Sequence, residues 1–348
     1  MLMEASESVR MIRDSVGAIA PPGGDLKRVR ALRDDPVGID GAVWQQVVDL
    51  GWLALRLGEE HDGLGLGVRE LCAIGEELGA ALVPEPILAV VAMVPLLGDD
   101  ARERVLDGSL IVVPAWREGI TGADGASGLT VADGKVSGRK ILVPHASAAG
   151  AFIVTGPDGG VLVERGAAGL SIESCKTQDG GKLSTLVLHD TPCVPASGDP
   201  LHALHELSLA HTAYLLGAAE RAFQMTLEYL GIRKQFGRFI GSFQVLQHRA
   251  AEAKIQVALS RAVLDEAISA VEGGASQFDQ VRTASRAIAR VSDTAMLIAR
   301  EAVQMHGAIG ITDEHDVGLY CRKILSIYNQ FGTANAHRAR YLATTGGE

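Results

Sequence analysis

The sequence predicts a mostly α-helical fold with a β-domain inserted between two helical blocks. Of the 348 residues 47% are apolar and only 4% aromatic, which suits long helices packed through small side chains. Helical patterning gives way to short β-forming runs between about residues 110 and 194, then resumes. In the last third Val281, Ala284, Ile288, Val291, Ala295, Ile298, Ala302 and Met305 alternate steps of three and four, the seam of nearly parallel packed helices. The predicted divisions are residues 1–109 (helical), 110–195 (β) and 196–348 (an antiparallel four-helix bundle).

Five or six helices are expected in the first block, broken at Pro21-Pro22-Gly23-Gly24, Asp35-Pro36 and Asp62-Gly63. Residues 70–78 put Leu71, Ile74 and Leu78 on one face and acids on the other, as a surface helix would. Strands are expected at 110–113, 129–131, 141–143, 151–154, 161–163 and 186–188, their close spacing indicating a compact barrel or sandwich. Long helices follow at about 202–230, 244–271 and 280–305.

A net charge of -10 offers no basic surface for nucleic acid. Cys72, Cys175, Cys193 and Cys321 lack metal or disulfide-framework spacing, so reduced thiols in the cytoplasm are expected. The first residues do not read as a signal peptide, and the apolar stretch at 86–97 is too short to span a bilayer. The ten histidines show no H-x-x-x-H or H-E-x-x-H spacing, and there is no G-x-S-x-G nucleophile elbow.

Two segments carry binding chemistry. In Arg233-Lys234-Gln235-Phe236-Gly237, followed by Phe243-Gln244, the arginine offers a planar fork of donors for a pyrophosphate oxygen. In Gln304-Met305-His306-Gly307-Ala308-Ile309-Gly310, glycines let backbone approach a ligand and Gln304 supplies an amide. Taken singly, each is also explained as an interhelical turn or a helix end. Together they resemble the FAD-binding segments R-x-x-F-G and Q-x-x-G-G-x-G of the acyl-CoA dehydrogenase family, and the order of helical block, β-domain and bundle is similar over nearly the whole chain. The resemblance implies an FAD site built from Arg233, Gln235, Phe236, Phe243, Gln244, Gln304, His306, Gly307 and Ala308, with Thr333 and Asn335 matching the Thr and Gln of that family's E-G-T-x-Q. In the family the arginine and Phe236 positions contact the flavin of a neighbouring subunit, so an oligomer is implied. An acyl-CoA substrate and an electron acceptor such as an electron-transfer flavoprotein are implied with it.

The same resemblance locates a gap. The family reaction removes the proton alpha to a thioester and passes a hydride from the beta carbon to the flavin, using a carboxylate that here is replaced by Phe331. Some members carry the base on the first bundle helix, at a position corresponding to Leu207; the adjacent Glu206 is the candidate base in this chain. In the β-domain, Val113-Pro114-Ala115-Trp116-Arg117-Glu118 and Ile141-Leu142-Val143-Pro144-His145-Ala146 replace two segments that line the flavin in the family. Intact nucleotide motifs with a missing base resemble one subunit type of the bacterial heterotetrameric dehydrogenases that act on steroid side-chain thioesters, where the partner supplies the base. Three readings stand at this point: a hetero-oligomer subunit, a self-sufficient homo-oligomeric dehydrogenase using Glu206, and a non-catalytic structural subunit.

Overall fold

The computed structural model describes residues 7–20, 24, 26–119, 128–156 and 159–345. The predicted break at Pro21-Pro22-Gly23 and the first six residues lie outside them. Chain order begins with helices α1 (Glu7–Val16), α2 (Lys27–Leu32), α3 (Gly41–Asp49), α4 (Val68–Ala80), α5 (Ile87–Met93) and α6 (Asp99–Leu106). Strands follow: β1 (Val112–Ala115), β2 (Thr130–Ala132), β3 (Lys135–Pro144), β4 (Ala151–Gly156), β5 (Gly159–Glu164), β6 (Leu170–Lys176), β7 (Lys182–Pro192) and β8 (Val194–Pro195). Then come α7 (Pro200–Ile232), the hairpin strands β9 (Lys234–Gln235) and β10 (Arg238–Phe239), α8 (Gln244–Glu272), α9 (Gln277–His306), α10 (Val317–Ile327) and α11 (Ala334–Thr345). Among the described residues no helix is long and apolar enough to cross a membrane.

The chain separates into two compact units, one comprising residues 27–71 and 84–208, the other the described residues up to 26 together with 72–83 and 209–345. The first holds two four-stranded sheets, ordered β1-β4-β5-β8 and β2-β3-β7-β6. β1 and β4 pair in parallel, with Val112 opposite Ala151, and every other pairing in these sheets is antiparallel. β1 and residues 151–155 of β4 are buried throughout, which is why both read as continuous apolar runs. β6 was not expected from the sequence: only Leu170 and Ile172 alternate apolar, the remaining residues are exposed, and its ladder with β7 holds it in place. β3 slips register between Lys140 and Val143, where Leu142 has φ 54°, a bulge inside the 141–146 segment.

In the second unit α9 is the central helix, with α8, α10 and α11 against it. Every seam residue except Val281 is buried, and so are Ser285, Ala289, Ser292 and Thr294 on its other sides. The Ser260 hydroxyl of α8 meets that of Thr294 at 2.8 Å, so the small polar residues at this contact are satisfied in pairs. α4 and α7 cross at glycines. A Cβ on Gly79 would stand 2.0 Å from the Tyr214 carbonyl oxygen, and one on Gly217 2.0 Å from that of Glu76.

The acidic face of α4 does not face water as a surface helix's would. Glu76 is held by Arg13 at 2.7 Å and by Arg261, which also reaches Glu220 at 2.6 Å. The sequence pattern could not show that these acids would meet arginines from α1 and α8.

Candidate functional site

The first motif begins where α7 ends. The Arg233 N–H still donates to the Tyr229 carbonyl (2.9 Å), and the chain then reverses through β9 and β10. The two turn residues, Phe236 and Gly237, have φ 53° and 78°, the mirror-image turn that matches the twist of a tight hairpin. Glycine adopts that conformation freely, whereas a phenylalanine there is strained. Phe236 is nonetheless 91% exposed, its ring edge-on to Phe243 at 6.2 Å. The Arg238 guanidinium lies 4.0 Å above the Phe243 ring, and the Lys234 ammonium 4.6 Å above Phe239. Gly241 sits where a Cβ would come 2.8 Å from the Leu230 carbonyl oxygen, so the loop closes on α7 only with glycine. Arg233, Gln235 and Gln244 project from this loop, exposed and without side-chain partners among the described residues.

The second motif lies beside the first. His306, the last residue of α9, stacks on Tyr229 with ring centroids 4.4 Å apart and planes inclined by 22°. Tyr229 is one helical turn before Arg233, so this stack places the ends of α7 and α9, and with them both motifs, at one end of the unit. Neither Tyr229 nor His315, whose ring lies 4.7 Å from that of His306, was singled out from the sequence; the i, i+4 spacing of Tyr229 to Arg233 is the only local hint. His306 is 4% exposed, and burial together with the neighbouring His315 holds it below its ordinary pKa. A carbonyl only accepts, so Nδ1 carries the proton that goes to the Ala302 oxygen (2.8 Å), and Nε2 is left as a buried acceptor with no partner among the described residues. Gly307 has φ 68° with open space where a Cβ would stand, and Gln304 and Ala308 are exposed beside it.

The third segment is placed elsewhere. The Thr333 hydroxyl accepts from the Ala336 N–H (3.1 Å), capping α11, and Asn335 Oδ1 accepts from Arg338 (2.8 Å). Arg338 in turn pairs with Asp293 of α9. Asp293 precedes His306 by 13 residues, about 20 Å along a helix axis, so one chain does not bring Thr333 and Asn335 together with the other two motifs.

The loop before Thr333 is ordered around Phe331. Ser292 donates to the Tyr328 carbonyl (2.9 Å), and His211 of α7 is 3.0 Å from Gln330 Oε1 while its ring lies 5.1 Å from that of Phe331. His337 Nε2 is 3.0 Å from the Phe331 carbonyl oxygen. Burial pushes the His337 pKa down from 6.5 to about 4, the bond to Phe331 acting against it. The unfolded chain therefore binds a proton between those values that the folded chain refuses. Stability should be full above pH 6.5 and fall as pH drops toward 4, by roughly 3 kcal/mol from this group. Urea unfolding at pH 7 and pH 4 measures it, and His337→Gln should flatten the difference.

Glu206, the candidate base, is 5% exposed near the start of α7. Arg56 Nε donates to one carboxylate oxygen at 3.1 Å, its Nη2 donates to the other, and its Nη1 donates to the Leu66 carbonyl. His202 lies 3.4 Å away. Both oxygens are thus taken up by a bidentate guanidinium, the arrangement of a structural carboxylate rather than of an open proton acceptor. Leu207 beside it is buried. Among the described residues no cluster of three or more His, Cys, Asp or Glu could hold a metal.

Family models for the acyl-CoA dehydrogenase N-terminal domain and C-terminal domain match residues 6–101 and 200–344. The acyl-CoA dehydrogenase IpdE2 of Mycobacterium tuberculosis is 30% identical over 92% of this chain and 92% of its own. The chain belongs to the acyl-CoA dehydrogenase family. Its members are oxidoreductases acting on the CH–CH bond of acyl-CoA thioesters. IpdE2 of Mycolicibacterium smegmatis is 28% identical over 91% of this chain and 92% of its own. Among solved structures, the Tcur3481-Tcur3483 steroid acyl-CoA dehydrogenase superposes with a TM-score of 0.86 at 28% identity, covering 97% of this chain and 98% of the other. The ChsE4-ChsE5 complex from Mycobacterium tuberculosis shares the fold, with a TM-score of 0.86 at 24% identity over the full length of both chains. Helical N- and C-terminal parts around a middle β-region are the architecture of the family, and the chain resembles its steroid-type short subunits.

Proposed function

We propose that this chain is one subunit of a hetero-oligomeric, FAD-dependent acyl-CoA dehydrogenase acting on a bulky, ring-bearing acyl group, with the catalytic base supplied by the partner subunit. The observation that carries this reading is that neither base position offers an open carboxylate. Phe331 stands at one in an ordered loop, and at the other Leu207 is apolar while Glu206 is bound through both oxygens by Arg56. Likeness to the steroid dehydrogenase supports a ring-bearing acyl group, and electrons would leave through an acceptor such as an electron-transfer flavoprotein.

The residues present fit FAD. Arg233, Gln235, Gln244 and Gln304 form an unpartnered donor set suited to a polyanionic dinucleotide, Gly307 leaves room for close backbone approach, and His306 keeps a spare acceptor. These would hold the nucleotide end, and Thr333 and Asn335 would serve the other. Their separation along α9 accords with two subunits contributing to one cofactor. Bound FAD would supply the hydride acceptor. At the altered β-domain segment Pro144 has no N–H and no hydroxyl, so that residue donates no hydrogen bond to a flavin ring.

Co-expression with the nearest genomic paralogue, followed by absorbance and subunit composition, tests the reading. Flavin and turnover are expected only in the mixed complex, whereas stoichiometric flavin with turnover in the lone chain would overturn it. In the mixed complex Arg233→Lys loses the planar fork, and FAD affinity should weaken on the order of tenfold or more, read by titrating the apo-complex with FAD.

A further inference from the structure

His337 is not among the motif residues, and the mechanism just proposed does not use it. It is 3% exposed in the first turn of α11, and its backbone N–H donates to the Thr333 carbonyl (3.1 Å), as any residue there would. Its side chain is less ordinary. Nε2 must carry the proton, because the Phe331 carbonyl can only accept, and this leaves Nδ1 a bare acceptor, buried with no partner among the described residues. A leucine would fill the same volume without that unmatched atom, so packing alone does not account for an imidazole. What the imidazole provides is one hydrogen bond, to the peptide joining Phe331 and Gly332. The same peptide donates its N–H to the Asn329 carbonyl (3.1 Å), and Gly332 is buried at φ 120°, a conformation open to glycine and strained for other residues.

We infer that His337 is a positioning residue: its Nε2–H fixes the plane of the Phe331–Gly332 peptide, the backbone this chain presents where Phe331 replaces the base. Ser292 and His211 hold the preceding residues, Tyr328 and Gln330. His337 grips the peptide itself from outside the loop. The inference rests on the proposed dehydrogenase reading for the meaning of that position, but the grip itself can be tested without it.

The pair of variants is His337→Leu, which removes the donor, and His337→Gln, whose amide nitrogen reaches the place of Nε2. Hydrogen–deuterium exchange of the 328–337 segment in the purified chain is the first readout. Exchange at Gly332 and its neighbours is expected to quicken on the order of tenfold in the leucine variant, about the worth of one hydrogen bond, and to stay near wild type in the glutamine variant. Unchanged exchange in the leucine variant, or equal quickening in both, would overturn the inference. In the flavin-loaded complex the leucine variant should lose on the order of tenfold in kcat with KM within about twofold, and the glutamine variant should recover it. A change in KM alone would count against positioning. Absence of turnover in every assembly would refute the dehydrogenase reading, while the exchange result would still decide the role of His337.

Discussion

Arg56→Met is expected to cost about 3–5 kcal/mol of folding stability, because it leaves the Glu206 carboxylate buried without its bidentate partner. Arg56 also closes the Leu66 carbonyl, which the methionine leaves to find water. The double variant Arg56→Met with Glu206→Leu should recover most of the loss, since what is costly is the orphaned charge and not the missing pair. Urea denaturation of the three proteins measures this; a single-variant loss below about 1 kcal/mol would mean that the pair behaves like a surface ion pair. Glu206→Gln bears on function. It keeps the shape of the side chain, and in the flavin-loaded complex kcat should stay within about twofold. A fall of two orders of magnitude or more would instead make Glu206 the general base and return the base to this chain.

The sequence exposed the fold where burial is one-sided or continuous. The alternating seam of α9 is buried as expected but for Val281, and β1 and β4 were legible as apolar runs. β6 was not legible, because its alternation stops after Leu170 and Ile172 and the exposed remainder is held by its neighbour's ladder. The motifs were legible because glycine and arginine at fixed offsets carry backbone and charge requirements, as at Gly241 and Arg233. The contacts that organise the site were not. Tyr229 against His306, Arg56 on Glu206 and His337 on Phe331 join residues whose types are common and whose meeting is decided by tertiary packing. Glu206 is the instructive case: nothing in the sequence shows that both of its oxygens meet Arg56, 150 residues away.

Gly217→Ala should be strongly destabilising in the second unit. The added Cβ would lie 2.0 Å from the Glu76 carbonyl oxygen and 2.8 Å from its carbonyl carbon, and these are backbone atoms of a helix that no rotamer change can move. α4 and α7 would have to separate. The crossing carries more than the two helices: Glu76 is also the residue through which Arg13 of α1 and Arg261 of α8 meet, and Tyr214, one turn before Gly217, donates to the Val83 carbonyl at 3.1 Å. Separation would therefore stretch a part-buried ion-pair network as well as the packing, so the loss should reach or exceed the upper end of the roughly 1–3 kcal/mol usual for overpacking. The intrinsic helix preference of alanine, worth about 1 kcal/mol over glycine, runs the other way and separates the explanations. A stabilised Gly217→Ala protein in thermal unfolding would mean that the crossing relaxes easily, whereas a strongly destabilised one, with Gly231→Ala as a control where a Cβ meets nothing within 4 Å, would place the cost in the close approach itself.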